Sequence, residues 1–338
     1  MKTDADRVEL ATPLTEHAGI EVPLICGAMY PCSNPELVAA VSAAGGIGII
    51  QPLSLVHVHG WEFQAGLDRI REITDKPVGM NVIVERSVKK YEEAMQRYVD
   101  QALEAGIRFF VTSLGNPRWV VDKAHSVGGV VYHDVTNRRH AEKGLEGGVD
   151  GVIGVNERAG GHAGTTSAAA LFDELGDLGV PVVCAGGIGS ASDFVEALDL
   201  GYAGVQMGTR FIATEECSEH DDYKLAIVNA QADDIVLTER VTGVPLAVIK
   251  TPWIEKTGTR AGPLGRWMLR GRKTKHWMRT WYSLRSFLKM EKQAGKASSY
   301  KDILQAGKSV AGVEEIIPAG DVVRRFAAAA MARNGTTT

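Results

Sequence analysis

Val180-Pro181-Val182-Val183-Cys184-Ala185-Gly186-Gly187-Ile188-Gly189-Ser190 is followed, one helix-length later, by Ala203-Gly204-Val205-Gln206-Met207-Gly208-Thr209-Arg210. Each stretch is a short, nearly continuous apolar run that ends in glycine, the pattern of a parallel strand covered on both faces. Between them, Ser190 and Asp193 fit a helix start, and Leu200-Gly201 a helix stop. The same theme repeats backwards to residue 20. Apolar runs occur at Val22–Cys26, Ile47–Ile50, Val78–Val84, Arg108–Thr112, Val130–Val135 and Gly151–Val155. The intervening segments have helical periodicity: Pro35–Ala44, Trp61–Ile73, Val88–Ala105, Pro117–Val127, Asn137–Leu145, Ser167–Leu178 and Ser190–Leu200. Gly45, Gly106, Gly179 and Gly201 stand where C-caps belong. Eight strands alternating with helices predict an α/β fold, a (β/α)8 TIM barrel. The competing open, doubly wound sheet needs a G-x-G-x-x-G turn after its first strand, and Gly27-Ala28-Met29-Tyr30-Pro31 is not one.

The chain has 338 residues, 45% hydrophobic and 23% charged, which excludes a disordered or fibrous protein. Its 38 glycines have no collagen-like period and therefore punctuate turns. Cys26, Cys32, Cys184 and Cys217 form no C-x-x-C pair; Cys26 and Cys184 lie in apolar runs and read as buried free thiols, which suits a reducing compartment. The N-terminal Met-Lys-Thr-Asp-Ala-Asp-Arg lacks the apolar core of a signal peptide, and no run is long enough to span a membrane. A cytoplasmic location is expected.

After Ala232 the alternation stops. Residues 250–301 carry 14 Lys or Arg against Glu255 and Glu291, a net +12 within a chain whose total is −4. The segment is also aromatic, with Trp253, Trp267, Trp277 and Trp281. The expected organisation is a barrel over 14–232, a basic, aromatic, mostly helical insertion over the mouth at 233–316, and a closing helix with tail at 317–338. The basic residues belong to no nucleic-acid motif, so no nucleic-acid partner is expected.

In such a barrel, chemistry sits at the C-terminal ends of the strands. The candidates are Gly27-Ala28-Met29, Gln51-Pro52, Asn81, Thr112-Ser113, His133-Asp134, Asn156 to His162, Gly186-Gly187 and Gly208-Thr209. The last two pairs follow strands seven and eight, where exposed backbone N–H groups favour a phosphate. His133 ends strand five and is expected to line the pocket. His162 lies in Ala159-Gly160-Gly161-His162-Ala163-Gly164, where Gly160 and Gly161 permit close approach to a planar ligand and present the imidazole to a substrate. His57 and His59 form an H-x-H well beyond Ile50 and without an acidic partner on strand eight, so no metal is expected.

The motifs Gly27-Ala28-Met29, Gly79-Met80-Asn81, Gly115-Asn116-Pro117, Ala159-Gly160-Gly161-His162, Ala185-Gly186-Gly187-Ile188 and Met207-Gly208-Thr209-Arg210-Phe211 occur in that order. The set resembles the nitronate monooxygenase (2-nitropropane dioxygenase) family of FMN-dependent barrels, related to FMN-dependent enoyl-acyl-carrier-protein reductases; the resemblance covers residues 14–232 well and the rest loosely. It implies that Gly27, Ala28, Met29 and Asn81 line the isoalloxazine and ribityl of FMN. Gly186, Gly187, Gly208 and Thr209 would hold its phosphate, and His162 would stand over the flavin beside the substrate. Two positions depart from the pattern. Ala306-Gly307-Lys308 stands where relatives often have Ala-Gly-Gln, and Asp134 where some carry Lys.

The activity implied first is oxidation of alkyl nitronates with O2. The alternative is NAD(P)H-dependent reduction of an enoyl thioester, on CoA or an acyl-carrier protein, or of a quinone. Gly115-Asn116-Pro117 and the basic insertion lean toward a thioester, and a divergent actinobacterial subgroup with a similar insertion is tied by resemblance to steroid-ring CoA thioesters. Arg270, Arg272 and Lys273 would then meet the anionic part of the substrate, since guanidinium suits phosphate. A homodimer is compatible with this organisation.

Overall fold

The computed structural model describes residues 10–85, 89–239, 244–260 and 303–335. Eight parallel strands close into a barrel in sequence order: β1 (Leu24–Cys26), β2 (Ile47–Ile50), β3 (Gly79–Ile83), β4 (Phe109–Ser113), β5 (Val130–Val135), β6 (Gly151–Val155), β7 (Val182–Ala185) and β8 (Gly204–Met207). Closure is made by β8 on β1, with Cys26 opposite Met207. The helices α2 (Pro35–Ala43), α3 (Phe63–Ile73), α4 (Lys89–Glu104), α5 (Arg118–His125), α6 (Arg138–Glu146), α7 (Ala168–Leu175) and α8 (Ala191–Asp199) form the outer layer, preceded by α1 (Pro13–Ala18). The four expected C-cap glycines, Gly45, Gly106, Gly179 and Gly201, all adopt left-handed φ.

Two apolar clusters divide the work of burial. The outer one packs strand residues such as Val82, Val131 and Val205 against the helices, among them Val38 of α2. The inner one fills the lumen with Ile25, Ile47, Ile49, Phe109, Val111, Tyr132, Ile153 and Val183. At the bottom of the barrel α1 closes the lumen, where His17 Nδ1 lies 3.0 Å from the Tyr132 hydroxyl. The lumen is thus a plugged core with a polar upper end.

Beyond β8 come the short α9 (Thr209–Ile212), α10 (Asp221–Asn229), an antiparallel hairpin of β9 (Ile235–Thr238) and β10 (Leu246–Ile249), and α11 (Pro252–Thr257). The chain re-enters at Ile303, and Val248 bridges Gln305. A 3-10 turn at Lys308–Gly312 then leads to α12 (Ala319–Gly335), which packs on α2 and α8 with Phe326 and Phe194 rings 5.6 Å apart. Most of the basic insertion expected from the sequence, including Arg270, Arg272 and Lys273, lies outside the described residues.

Candidate functional site

The ends of β1 and β8 meet at the mouth. Gly27 N–H donates to the Met207 carbonyl at 2.9 Å. A Cβ added at Gly27 would stand 2.9 Å from Gln206 Cγ, and one at Gly208 would stand 3.3 Å from Met29 Sδ. Gly27, Met29 and Gly208 are therefore neighbours. Met29 is held from both sides, its N–H donating to Ser33 Oγ at 2.9 Å and its carbonyl accepting from Ser54 Oγ at 3.2 Å. Ser54 opens a single π-helical turn, Ser54–Val58, pinned by its N–H to Gln51 Oε1 at 2.7 Å. The sequence carried no sign of this turn; such π turns recur at functional sites. Ala28 packs on the lumen cluster, and Asn81 is buried with Nδ2 donating to the Val111 carbonyl at 3.1 Å.

The ends of β6 and β7 are joined by Asn156, which is fully buried. Its Nδ2 donates to the Gly186 carbonyl at 2.8 Å, and its Oδ1 accepts the Arg158 N–H at 2.8 Å. Gly186 has φ +112°, and a Cβ there would lie 2.5 Å from Asn156 Oδ1, so this turn takes no other residue without moving Asn156. One amide side chain thus fixes the glycine turn after β7 to the loop that carries His162. Arg158 lies along the same turn: a Cβ on Gly187 would be 3.1 Å from its Nε, and it makes no ion pair among the described residues.

A third strand of chain closes the arrangement. Gly160 and Gly307 pass backbone to backbone, a Cβ on Gly307 falling 2.5 Å from the Gly160 nitrogen. Gly307 N–H donates to Thr209 Oγ1 at 3.0 Å, which leaves the Thr209 hydroxyl proton free to donate elsewhere. Lys308 N–H donates to the Arg158 carbonyl at 2.9 Å, and Ala247 N–H to that of Gly161 at 2.8 Å. The helix start after β7 is itself satisfied. Asp193 Oδ2 accepts from Gly189 N–H at 3.0 Å and Ser190 N–H at 2.8 Å, so those two donors and that end of α8 are not open to an anion. An anion is better served between Gly187, Arg158 and Thr209.

His162 is exposed at this rim. His133 is not at the mouth, and here the expectation from sequence is corrected. Its ring points outward to α6, with Cδ2 3.2 Å from a Cβ added at Gly144, and Nδ1 lies 2.8 Å from Thr112 Oγ1. Burial, with a smaller push from His140, lowers its pKa to about 4. The lumen-facing residue of that strand end is Asp134, whose carboxyl burial pushes up to about 7. His59, of the H-x-H pair, donates from Nε2 to the Pro31 carbonyl at 3.0 Å, and burial lowers its pKa. Among the described residues no group of His, Cys, Asp and Glu is arranged for a metal ion, and no helix is long and apolar enough to cross a membrane. All four cysteines are free and buried.

A model of the nitronate monooxygenase family matches residues 11–328. A Mycobacterium tuberculosis protein named (3aS,4S,5R,7aS)-5-hydroxy-7a-methyl-1-oxo-octahydro-1H-indene-4-carboxyl-CoA dehydrogenase is 32% identical over 260 residues, 75% of this chain and 71% of its own length. A probable nitronate monooxygenase of Staphylococcus saprophyticus is 28% identical over 291 residues, covering 74% of this chain and 81% of that protein. Among solved structures, FabK of Thermotoga maritima superposes with a TM-score of 0.77 at 25% identity, covering 97% of this chain and 98% of its own.

Proposed function

Since the chain belongs to the nitronate monooxygenase family and is an oxidoreductase, we propose that it binds FMN at the barrel mouth and exchanges electrons between that flavin and a CoA thioester. The observation that carries the reading is the Asn156 bridge, which makes the glycine turn after β7 and the His162 loop one rigid unit. A phosphate cradle and a candidate proton-transfer group are thereby held at a fixed separation, as cofactor chemistry requires.

The residues present fit the cofactor. Gly27, Gly186 and Gly208 put no side chain of their own at the mouth and let Gln206, Asn156 and Met29 pack close to the strand ends, while Gly187 has the Arg158 guanidinium alongside it. Gly187, Arg158, Gly208 and Thr209 would hold the phosphate, with the Arg158 guanidinium as its counter-charge. Gly27, Ala28, Met29, Asn81, Gly160 and Gly161 would line the ring and ribityl. Bound FMN would supply a two-electron acceptor or donor. His162 would take a proton at an imidazole nitrogen from a substrate carbon or hydroxyl made acidic by a neighbouring carbonyl, or donate a hydrogen bond to that oxygen. The exposed apolar Leu114, held at φ +61° at the end of β4, offers contact to an alicyclic acyl group at the rim. The thioester is favoured by the 32% identity to a CoA dehydrogenase and by the +12 segment, where Arg270, Arg272 and Lys273 would meet CoA phosphates. Oxidation of a nitronate with O2 is the second reading, favoured by the family match and the Staphylococcus relative.

The test is anaerobic. The purified protein should release FMN and not FAD on denaturation. Bleaching of its flavin by NAD(P)H, with reoxidation by an enoyl-CoA, or bleaching by a hydroxyacyl-CoA, supports the thioester reading; bleaching by a nitronate alone moves the assignment to the monooxygenase. Stoichiometric FAD, or no flavin after reconstitution, defeats both.

A further inference from the structure

Two polar side chains in the upper lumen have no part in the reading above. Asp134 on β5 and Gln206 on β8 face each other across the barrel, with Gln206 Nε2 3.5 Å from Asp134 Oδ1, the outer limit of a hydrogen bond. Gln206 Oε1 is buried and has no partner among the described residues. An amide pointed as a donor at a carboxylate strands its own oxygen here, a buried acceptor without a donor. A half-turn of the amide, a choice settled by the hydrogen-bond network and not by atom positions, brings Oε1 to Asp134. That orientation is a bond only if Asp134 carries a proton. An acid–amide bond then gives Oε1 a donor and relieves the charge of the half-buried carboxylate, with Nε2 turned into the place Oε1 had held.

The pair is adjacent to the cofactor cradle, because the Gln206 side chain fills the space where a Gly27 Cβ would stand. Strand parity places Asn81 of β3, Val111 of β4 and Val155 of β6 on the same lumen face, none of them charged. The titratable Tyr132 is one layer below, while His133, with His140 beyond it, is on the outer face of β5. Burial is the dominant influence on Asp134, opposed only by the Gln206 contact.

We propose that Asp134 and Gln206 form a cross-lumen acid–amide pair that takes up one solvent proton, as an O–H bond on Asp134, when the adjoining flavin site gains negative charge. The flavin half of this proposal rests on the function proposed above; the proton on the pair does not. For each two electrons that bound flavin would accept from the reducing substrate together with its own proton, the Asp134 carboxylate would gain one further proton. That proton would come from solvent hydronium or a buffer acid, whose O–H bond breaks as the Asp134 O–H forms, and no further oxidant or reductant is needed.

The experiment is the midpoint potential of the flavin-loaded protein against pH, for wild type and Asp134→Asn. Above about pH 7 the oxidised protein carries Asp134 as carboxylate, so each pH unit should change the wild-type two-electron equilibrium ~100-fold and that of the variant ~10-fold, about 60 and about 30 mV. Below that pH the acid is already protonated and the two lines should run parallel. A wild-type slope of about 30 mV above neutrality overturns the coupling even if the variant does not fold. If wild type retains no flavin, the flavin reading has failed on its own account. The pair is then decided in the flavin-free protein by infrared difference spectra. A carboxylic-acid carbonyl band that disappears as pH rises through neutrality supports it, and a spectrum without such a band overturns it.

Discussion

Replacing Asn156 by Leu keeps the branching and heavy-atom count of a fully buried side chain and removes both of its close hydrogen bonds, to the Gly186 carbonyl and from the Arg158 N–H. Each backbone group left without a partner costs about 1–3 kcal/mol, and both are only part-buried, so the lower end applies and the sum is about 2–3 kcal/mol. The backbone bonds of residue 156 to Ala185 and Gly164 survive the change. The barrel should therefore fold, with a melting temperature lower by about 5 °C in the flavin-free protein. The larger effect is local. The turn at Gly186 and the loop at Arg158 lose their common anchor, and if half the cost appears in cofactor binding, the Kd for FMN rises ~10-fold. Fluorescence-quenching titration of FMN into the apoprotein reads this directly, with thermal unfolding as its companion. An FMN Kd within twofold of wild type, together with an unchanged melting temperature, would refute the idea that this amide holds the two turns in place.

His162→Ala should leave FMN affinity intact and reduce turnover ~100-fold or more; loss of the flavin together with activity would make His162 a cofactor residue instead. Arg158→Gln should weaken FMN ~10-fold while leaving riboflavin, which lacks the phosphate, unchanged; equal weakening of both would remove the guanidinium from the phosphate site. Gly189→Ala puts a Cβ 2.0 Å from the Ser309 carbonyl and should destabilise the protein by several kcal/mol, read by denaturant unfolding. His133 has a folded pKa of about 4 against 6.5 unfolded, so the unfolded chain binds the extra proton. Its contribution is intact above about pH 6.5 and is lost as pH falls toward 4, up to about 3 kcal/mol. His133→Gln should narrow the gap in melting temperature between neutral and mildly acidic buffer, and an unchanged gap would show that other groups set the acid sensitivity.

The strands were legible because each is short, β-branched and followed by a glycine or polar stop; β2, β5, β6 and β8 fall on the residues that the apolar runs predict. Parity was not. Val131, His133 and Val135 lie on one face of β5 and Val130, Tyr132 and Asp134 on the other, and both faces are apolar enough that alternation says nothing about which meets the lumen. That is why both His133 and Asp134 stood among the strand-end candidates and His133 was expected to line the pocket, although only Asp134 faces the lumen. Asn156 stood in the strand-end window, but its meaning depends on Gly186, 30 residues away. The π turn at Ser54–Val58 escaped because neither capping residues nor periodicity mark it, and α1 was not expected although Thr12-Pro13 mark its start and Gly19 its stop. The glycine turns after β7 and β8 were visible as sequence; that Asp193 consumes the donors of Gly189 and Ser190 was not.

The hairpin beside the mouth has an architectural consequence. Thr238 Oγ1 and Glu239 N–H both donate to the Thr259 carbonyl, just before the chain departs at residue 260. On its return, Ile249 N–H donates to the Leu304 carbonyl at 2.8 Å, and Gly307 then seats against Gly160. Departure and return are moored to the same two strands. Glu239 to Thr259 and Ile249 to Leu304 are backbone bonds, and Gly307 meets Gly160 backbone to backbone, so these moorings do not depend on which side chains occupy residues 261–302. The sequence between them can change while the strand ends keep their register.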